Sequence, residues 1–311
     1  MTTDSAFVIE LPVGSLAVHD LTRGVASADA PVVLAVHGIT ANGLSWRRVA
    51  DEVDRRHGPG TVRFLAPDLR GRGGSRSAPG PYGLAAHVED LRSIASVFGA
   101  KPILAGHSMG AFIAALACAT HPDTFAGAVL VDGGLAFPAP PDLDIDAALT
   151  AVIGPAMARL SMRFDSEADY LDFWSAHPAL GPALQSEAGD AVRQYVLHDL
   201  VPAPDDPGRL TSSCVIDAVR VDGADVLADE STHAAVRRSV AQGVPVDFVW
   251  AERGLLNEPQ GLYDEERLAA LDIPPGVEVT RVDANHYTII FDELGTTAIA
   301  DAIDRQLARL P

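Results

Sequence analysis

The stretch Pro102-Ile-Leu-Ala-Gly-His-Ser-Met-Gly-Ala-Phe-Ile-Ala-Ala-Leu-Ala-Cys-Ala-Thr120 decides the fold. Its first part, Pro102–Ala105, is a short apolar run that reads as a buried strand. Its last part, Gly110–Thr120, is an apolar helix. Between them lies Gly106-His107-Ser108-Met109-Gly110. A G-x-S-x-G pentapeptide is common by chance, but a strand before it and a helix after it mark a nucleophile elbow, a sharp turn that lifts one hydroxyl above a sheet. The plainer alternative is a glycine-rich turn with an N-capping serine.

The same rhythm extends on both sides. Phe7–Glu10 and Ser15–His19 alternate as strands around a turn at Gly14. Continuous apolar strands are expected at Pro31–His37, Val62–Pro67 and Ala126–Val131, with helices over about Ser45–Arg56 and Leu84–Phe98 between them. From about Leu135 the alternation stops. Pro138-Ala-Pro-Pro141 opens a helical region and Val201-Pro-Ala-Pro-Asp-Asp-Pro207 interrupts it. Strands resume at Val244–Trp250 and Val277–Val282, with helices Asp264–Leu271 and Thr296–Leu310. The expectation is an α/β fold: a mostly parallel eight-stranded sheet with helices on both faces, and a helical cap inserted after the sixth strand. The core would comprise residues 1–134 and 244–311, and the cap 135–243.

Composition narrows the function. The chain has 311 residues and a net charge of -19, which disfavours nucleic acid and anionic membranes as partners. Its two cysteines, Cys118 and Cys214, form no disulfide framework or metal spacing, and Cys118 reads as a buried apolar residue. Met1–Phe7 shows no secretory signal, and no run approaches the ~18 apolar residues of a membrane span. A cytoplasmic protein acting on a small molecule is expected, as monomer or homodimer, with no cofactor and no metal.

A serine hydroxyl needs a base to take its proton. His286, in the loop after the last strand, is the candidate. His121 sits at a helix end before Pro122, His57 and His87 lie on helices near charges, and His177, His198 and His233 fall in the insert. An oxyanion hole needs preorganised N–H donors. Strand 31–37 ends in His37-Gly38-Ile39, so the N–H groups of Ile39 and Met109 are the candidates.

His37-Gly38, Pro67-Asp-Leu-Arg-Gly-Arg-Gly-Gly-Ser75, Gly106–Gly110 and His286 occur in one order over nearly the whole chain. In this the chain resembles the α/β-hydrolase superfamily, within it the capped shape of epoxide hydrolases and dehalogenases. The resemblance implies that Asp68 and Arg70 are scaffold. Relatives most often place the triad acid after the seventh strand, in a pattern like W-G-E-R-D; here Trp250-Ala-Glu-Arg-Gly254 has glycine where that acid is expected. Some relatives place it at the end of the sixth strand, where this chain has Asp132. Asp132 is therefore favoured over Glu252, Asp264 and Asp283. Ser108 in place of an aspartate nucleophile implies acyl transfer to water, with ester, lactone or thioester substrates. A carbon–carbon hydrolase, a slow receptor-like binder and a perhydrolase are the alternatives. For the pocket, His37, Gly38, Trp46, Met162, Phe173, Trp174 and Tyr287 are expected to touch substrate. Asn42, Met109, Phe164 and Tyr170 are further candidates to line it.

Overall fold

The computed structural model describes residues 5–11, 14–99, 101–136 and 144–310. The proline cluster 138–141, expected to open the insert, lies outside them. The first half builds β1 (Ser5–Glu10), β2 (Ser15–Asp20), β3 (Val32–Val36), α1 (Arg47–His57), β4 (Arg63–Pro67), α2 (Leu84–Phe98), β5 (Ile103–His107), α3 (Met109–Thr120) and β6 (Gly127–Val131). An excursion follows: α4 (Ile145–Leu160), α5 (Glu167–Ser175), α6 (Gly181–Leu184), α7 (Gly189–His198), β7 (Leu200–Pro202), β8 (Leu210–Ser212), α8 (Ile216–Ala228), α9 (Glu230–His233) and α10 (Ala235–Ala241). The chain closes with β9 (Val246–Arg253), α11 (Glu265–Ala270), β10 (Glu278–Asn285) and α12 (Glu293–Leu307).

Eight strands form one sheet in the order β1-β2-β4-β3-β5-β6-β9-β10. Only β2 runs against the rest, pairing antiparallel with β1 and β4. The apolar run Val32-Val-Leu-Ala-Val36 is buried at every residue because both faces are covered. Val32, Leu34 and Val36 pack with α2, α3 and α10 on one face. Val33 and Ala35 pack with α1 and α12 on the other. The period of two in side-chain direction thus feeds two cores from one strand.

The excursion differs from its sequence reading in two respects. The proline-rich segment 201–207 belongs to a hairpin, with Leu200 opposite Ser212 and Pro202 opposite Leu210. Strands of three residues leave no periodic signal, which is why a helical region alone was expected. In addition, α10 packs closely on α3 in the helical layer of the sheet, so the stretch 135–243 holds more than cover for the site. Inside α4, Ile153 leaves helical geometry at φ -123° and ψ 20°. Pro155 two residues later lacks the N–H that would continue the ladder.

Buried charge ties the excursion to the core. Arg72 and Asp222 of α8 are fully buried, and Arg72 Nη1 lies 2.6 Å from Asp222 Oδ2. Asp222 also accepts from His87 Nε2 at 3.0 Å and from the Gly83 N–H at 2.7 Å. Removing one partner of such a pair strands the other charge. Asp222→Ala should therefore lower unfolding stability by about 3–5 kcal/mol in urea titrations; a loss under about 1 kcal/mol would contradict this role for the pair.

Candidate active site

Ser108 sits between β5 and α3 with φ 55° and ψ -124°, a left-handed backbone that non-glycine residues rarely adopt. The turn closes because its neighbours lack side chains. A Cβ on Gly106 would meet the Gly110 carbonyl oxygen at 2.1 Å, and one on Gly110 would meet the Val36 oxygen at 2.1 Å. Backbone bonds fix the bend: Ser108 N–H donates to Val131 O at 2.9 Å and Ala111 N–H to Ser108 O at 3.0 Å.

Across this turn, β6 ends at Asp132, also left-handed at φ 43°. Its carboxylate is fully buried. Oδ1 accepts the Ala251 N–H at 3.0 Å, and Oδ2 accepts His286 Nδ1–H at 2.6 Å. A carboxylate only accepts here, so Nδ1 carries a proton and Nε2 is the nitrogen left to act as a base. His286 follows β10 directly, after a register irregularity between Val282 and Asn285. Its backbone carbonyl accepts His107 Nε2–H at 2.8 Å. Burial, and then the neighbouring His286, hold His107 well below the usual imidazole range, so it serves as a neutral strut.

Ser108 and His286 line one cavity of about 40 Å³. No hydrogen bond joins them in this arrangement, and such bonds commonly tighten only around substrate. The other candidate acids face elsewhere. Glu252 pairs with Arg281 at 2.8 Å, Asp264 caps α11 through the Arg267 N–H at 2.7 Å, and the exposed Asp283 pairs with Arg253.

The turn after β3 is pinned through its carbonyls. Leu69 N–H donates to His37 Nε2 at 2.9 Å, so the His37 proton is on Nδ1, which donates to Gly38 O at 2.8 Å. Ala41 N–H donates to the same oxygen at 3.1 Å. In a planar trans peptide, fixing the Gly38 C=O fixes the Ile39 N–H in the opposite direction. Arg72 Nε holds Ile39 O at 3.0 Å, and Arg159 Nη2, from α4, holds Thr40 O at 3.2 Å. Met109 is the first residue of α3, where an N–H has no intrahelical acceptor.

Several expected pocket residues lie elsewhere. His37 is fully buried with both ring nitrogens engaged, so it is no substrate contact. Trp46 is core, packed on Phe64 under α1. Met162 is exposed. Asn42 caps the turn at Gly43–Trp46 and donates to Tyr195 O at 2.9 Å. Phe164, Tyr170, Phe173 and Trp174 pack on one another, forming an aromatic cluster beside the cavity rather than its wall. Gly38, Ile39 and Tyr287 do line the cavity. The sequence reading missed Thr40, Ile153, Ala156, Tyr195, Leu255, Ile290 and Phe291 on that wall. Their spacing carries no signal, because they come from five separate segments. It also missed Arg159, which is buried against Asp199 and Tyr170. The described residues hold one three-residue group of metal-ligand type, and it lies away from this cavity.

A family model described as the alpha/beta hydrolase fold matches residues 31–293. Lipase LipV of Mycobacterium tuberculosis is 34% identical over 105 residues, 33% of this chain and 38% of that protein. The chain thus spans well under half of that relative's length. Among solved structures, a thioesterase domain from the curacin biosynthetic pathway superposes with TM-score 0.71 at 18% identity, covering 97% of this chain and 99% of that one. E-2-(acetamidomethylene)succinate hydrolase gives TM-score 0.71 at 22% identity, covering 96% and 100%. At these identities the two structures share the fold. Among the described residues no helix is long and apolar enough to cross a membrane.

Burial holds His37 at about 4, against the pull of Asp68. A histidine depressed in the fold adds stability that is complete above its unfolded value near 6.5 and is lost as pH falls toward 4. At pH 5 the loss from this one ring is about 2 kcal/mol. Between pH 7 and 5 the wild type should lose about 2 kcal/mol more in urea unfolding than His37→Gln. Equal losses would show that His37 is not buried as the neutral ring.

Proposed function

The chain belongs to the alpha/beta hydrolase fold family, and on that premise we propose that it is a serine hydrolase acting on ester-type bonds of small, uncharged substrates. The observation that carries the proposal is the 2.6 Å bond from His286 to the buried Asp132, on a ring that shares a cavity with the left-handed Ser108.

In this reading Ser108 Oγ attacks the substrate carbonyl while His286 Nε2 takes its proton. Asp132 stays ionised, fixes the tautomer and stabilises the imidazolium. The negative charge passes to the carbonyl oxygen, which the N–H groups of Ile39 and Met109 receive. His286 returns the proton to the leaving oxygen or sulfur, and an acyl-enzyme remains. Water, deprotonated by the same nitrogen, then releases the acid and restores Ser108. His37 acts by positioning, since it aims the Ile39 N–H without touching substrate. Arg159 supports the same turn from α4.

The cavity wall supports the substrate class. Among the described residues no lysine, arginine, aspartate or glutamate lines it, and Ile153, Leu255, Ile290 and Phe291 give it an apolar character. Its volume of about 40 Å³ is far below the ~300–1,000 Å³ of common ligand sites, so α4 and α7 would act as a cap that shifts to admit substrate. Lipase and thioesterase relatives fit acyl transfer, with ester or thioester as the bond cleaved.

A fluorophosphonate probe should label the 102–120 peptide and fail on Ser108→Ala. Asp132→Asn should lower kcat on a p-nitrophenyl ester by about 10⁴-fold, with Glu252→Gln near wild type. Labelling that survives Ser108→Ala, or near-normal turnover by Asp132→Asn, would overturn the proposal. Stoichiometric p-nitrophenol release followed by a halt would instead favour a slow binder.

A further inference from the structure

A second cluster of chemical groups lies where the excursion meets the core. His19 of β2, Asp68 after β4 and His198 at the end of α7 each bring one ligand atom within 4.8 Å of the other two. His198 Nε2 is 2.7 Å from Asp68 Oδ2, and His19 Nε2 is 3.2 Å from the same oxygen. Asp68 is fully buried and His19 nearly so, while about a quarter of the His198 side chain is exposed. One path to solvent is therefore open.

Two features set this cluster apart from an ordinary ion pair. Although it lies within ion-pair distance of Asp68, His19 Nε2 makes no hydrogen bond of acceptable geometry and is a buried nitrogen without a hydrogen-bond partner. Such orphans are rare and call for an explanation. Asp68 is also braced from behind. Its Oδ1 accepts the Gly43 N–H at 2.8 Å and its Oδ2 the Gly74 N–H at 2.8 Å. Outer-shell bonds of this kind fix a ligating carboxylate.

We propose that His19, Asp68 and His198 form a binding site for one divalent transition-metal ion of the zinc class. Two imidazoles and a carboxylate are the donor set of such ions, whereas magnesium and calcium prefer all-oxygen shells. At zinc bond lengths of about 2.0–2.1 Å, neighbouring ligand atoms of a tetrahedron sit roughly 3.3 Å apart. The 3.2 Å edge already matches this, and the 2.7 Å edge opens by a side-chain adjustment of about half an ångström. Binding replaces the His198 N–H···Oδ2 bond with two nitrogen–metal bonds and one oxygen–metal bond. Any Nε2 proton leaves to solvent, so affinity falls as pH drops. A water fills the fourth position. The ion would fasten α7 to the sheet three residues from Tyr195, which lines the Ser108 cavity. The site is structural and does not depend on the hydrolase reading.

The test uses the full chain and zinc chloride alone. Purified protein is stripped with chelator, equilibrated with zinc, dialysed, and assayed for metal by mass spectrometry. Wild type should retain close to one equivalent, and His198→Ala and His19→Gln should each bind at least tenfold more weakly by chelator competition. His198→Asn, at the most exposed ligand, guards against loss of folding, and its circular dichroism should match wild type. Cobalt(II) should give wild type visible absorption bands of a four- or five-coordinate site that His198→Asn lacks. Failure of wild type to bind would leave a hydrogen-bonded His–Asp–His cluster and overturn the proposal. Equal binding by wild type and all variants would place the metal elsewhere and also overturn it.

Discussion

One backbone constraint underlies the site: the chain must turn from a strand into a helix within a single residue, at Ser108. The strand is sealed on both faces and the helix lies flat against the sheet, so there is no room for a gentler bend. The left-handed conformation that results costs about 1–3 kcal/mol. Gly106 and Gly110 make it possible, since a methyl at either would strike a backbone oxygen at 2.1 Å. The surrounding parallel strands over-determine the turn, and the serine hydroxyl stands out at the sheet's carboxyl edge. Every other candidate group is arranged around that point.

The second principle is that direction is set through carbonyls and neutral imidazoles. His37 and His107 are both buried and held uncharged, and each donates one N–H to a backbone oxygen. His37 thereby aims the peptide of Ile39, and His107 seats the main chain of His286. Where charge is buried it is paired, as in Arg72 with Asp222 and Arg159 with Asp199. Those pairs join the excursion to the turn after β3, since each arginine also holds one of its carbonyls. Movement of α4 is therefore coupled to the geometry of that turn.

Much of the architecture was legible because it is local. Apolar strands sealed on both faces announce themselves by composition, and the elbow by its pentapeptide in a strand–helix context. The departure at Gly254 from the usual acid position was informative, and Asp132 is the carboxylate that meets His286. Pocket residues were harder. Trp46 is expected at the pocket from its place near the oxyanion loop and Met162 from the apolar stripe of the insert, yet one fills the core and the other faces solvent. Which face of an irregular helix turns inward depends on tertiary packing, and α4 breaks its own periodicity at Ile153. His37, beside the oxyanion turn, is expected at the substrate; its bond from the Leu69 N–H forms only once β4 lies beside β3. The pairing of His19 with His198, 179 residues apart in sequence, had no local trace.

The central claim is that Ser108 carries the acyl group between attack and water. Intact-protein mass spectrometry of samples acid-quenched during turnover of a p-nitrophenyl acyl ester measures this directly. The account predicts one acyl mass per chain, located by peptide mapping on Ser108, that decays with the turnover rate. Turnover with no adduct, or an adduct on any other residue, would contradict it.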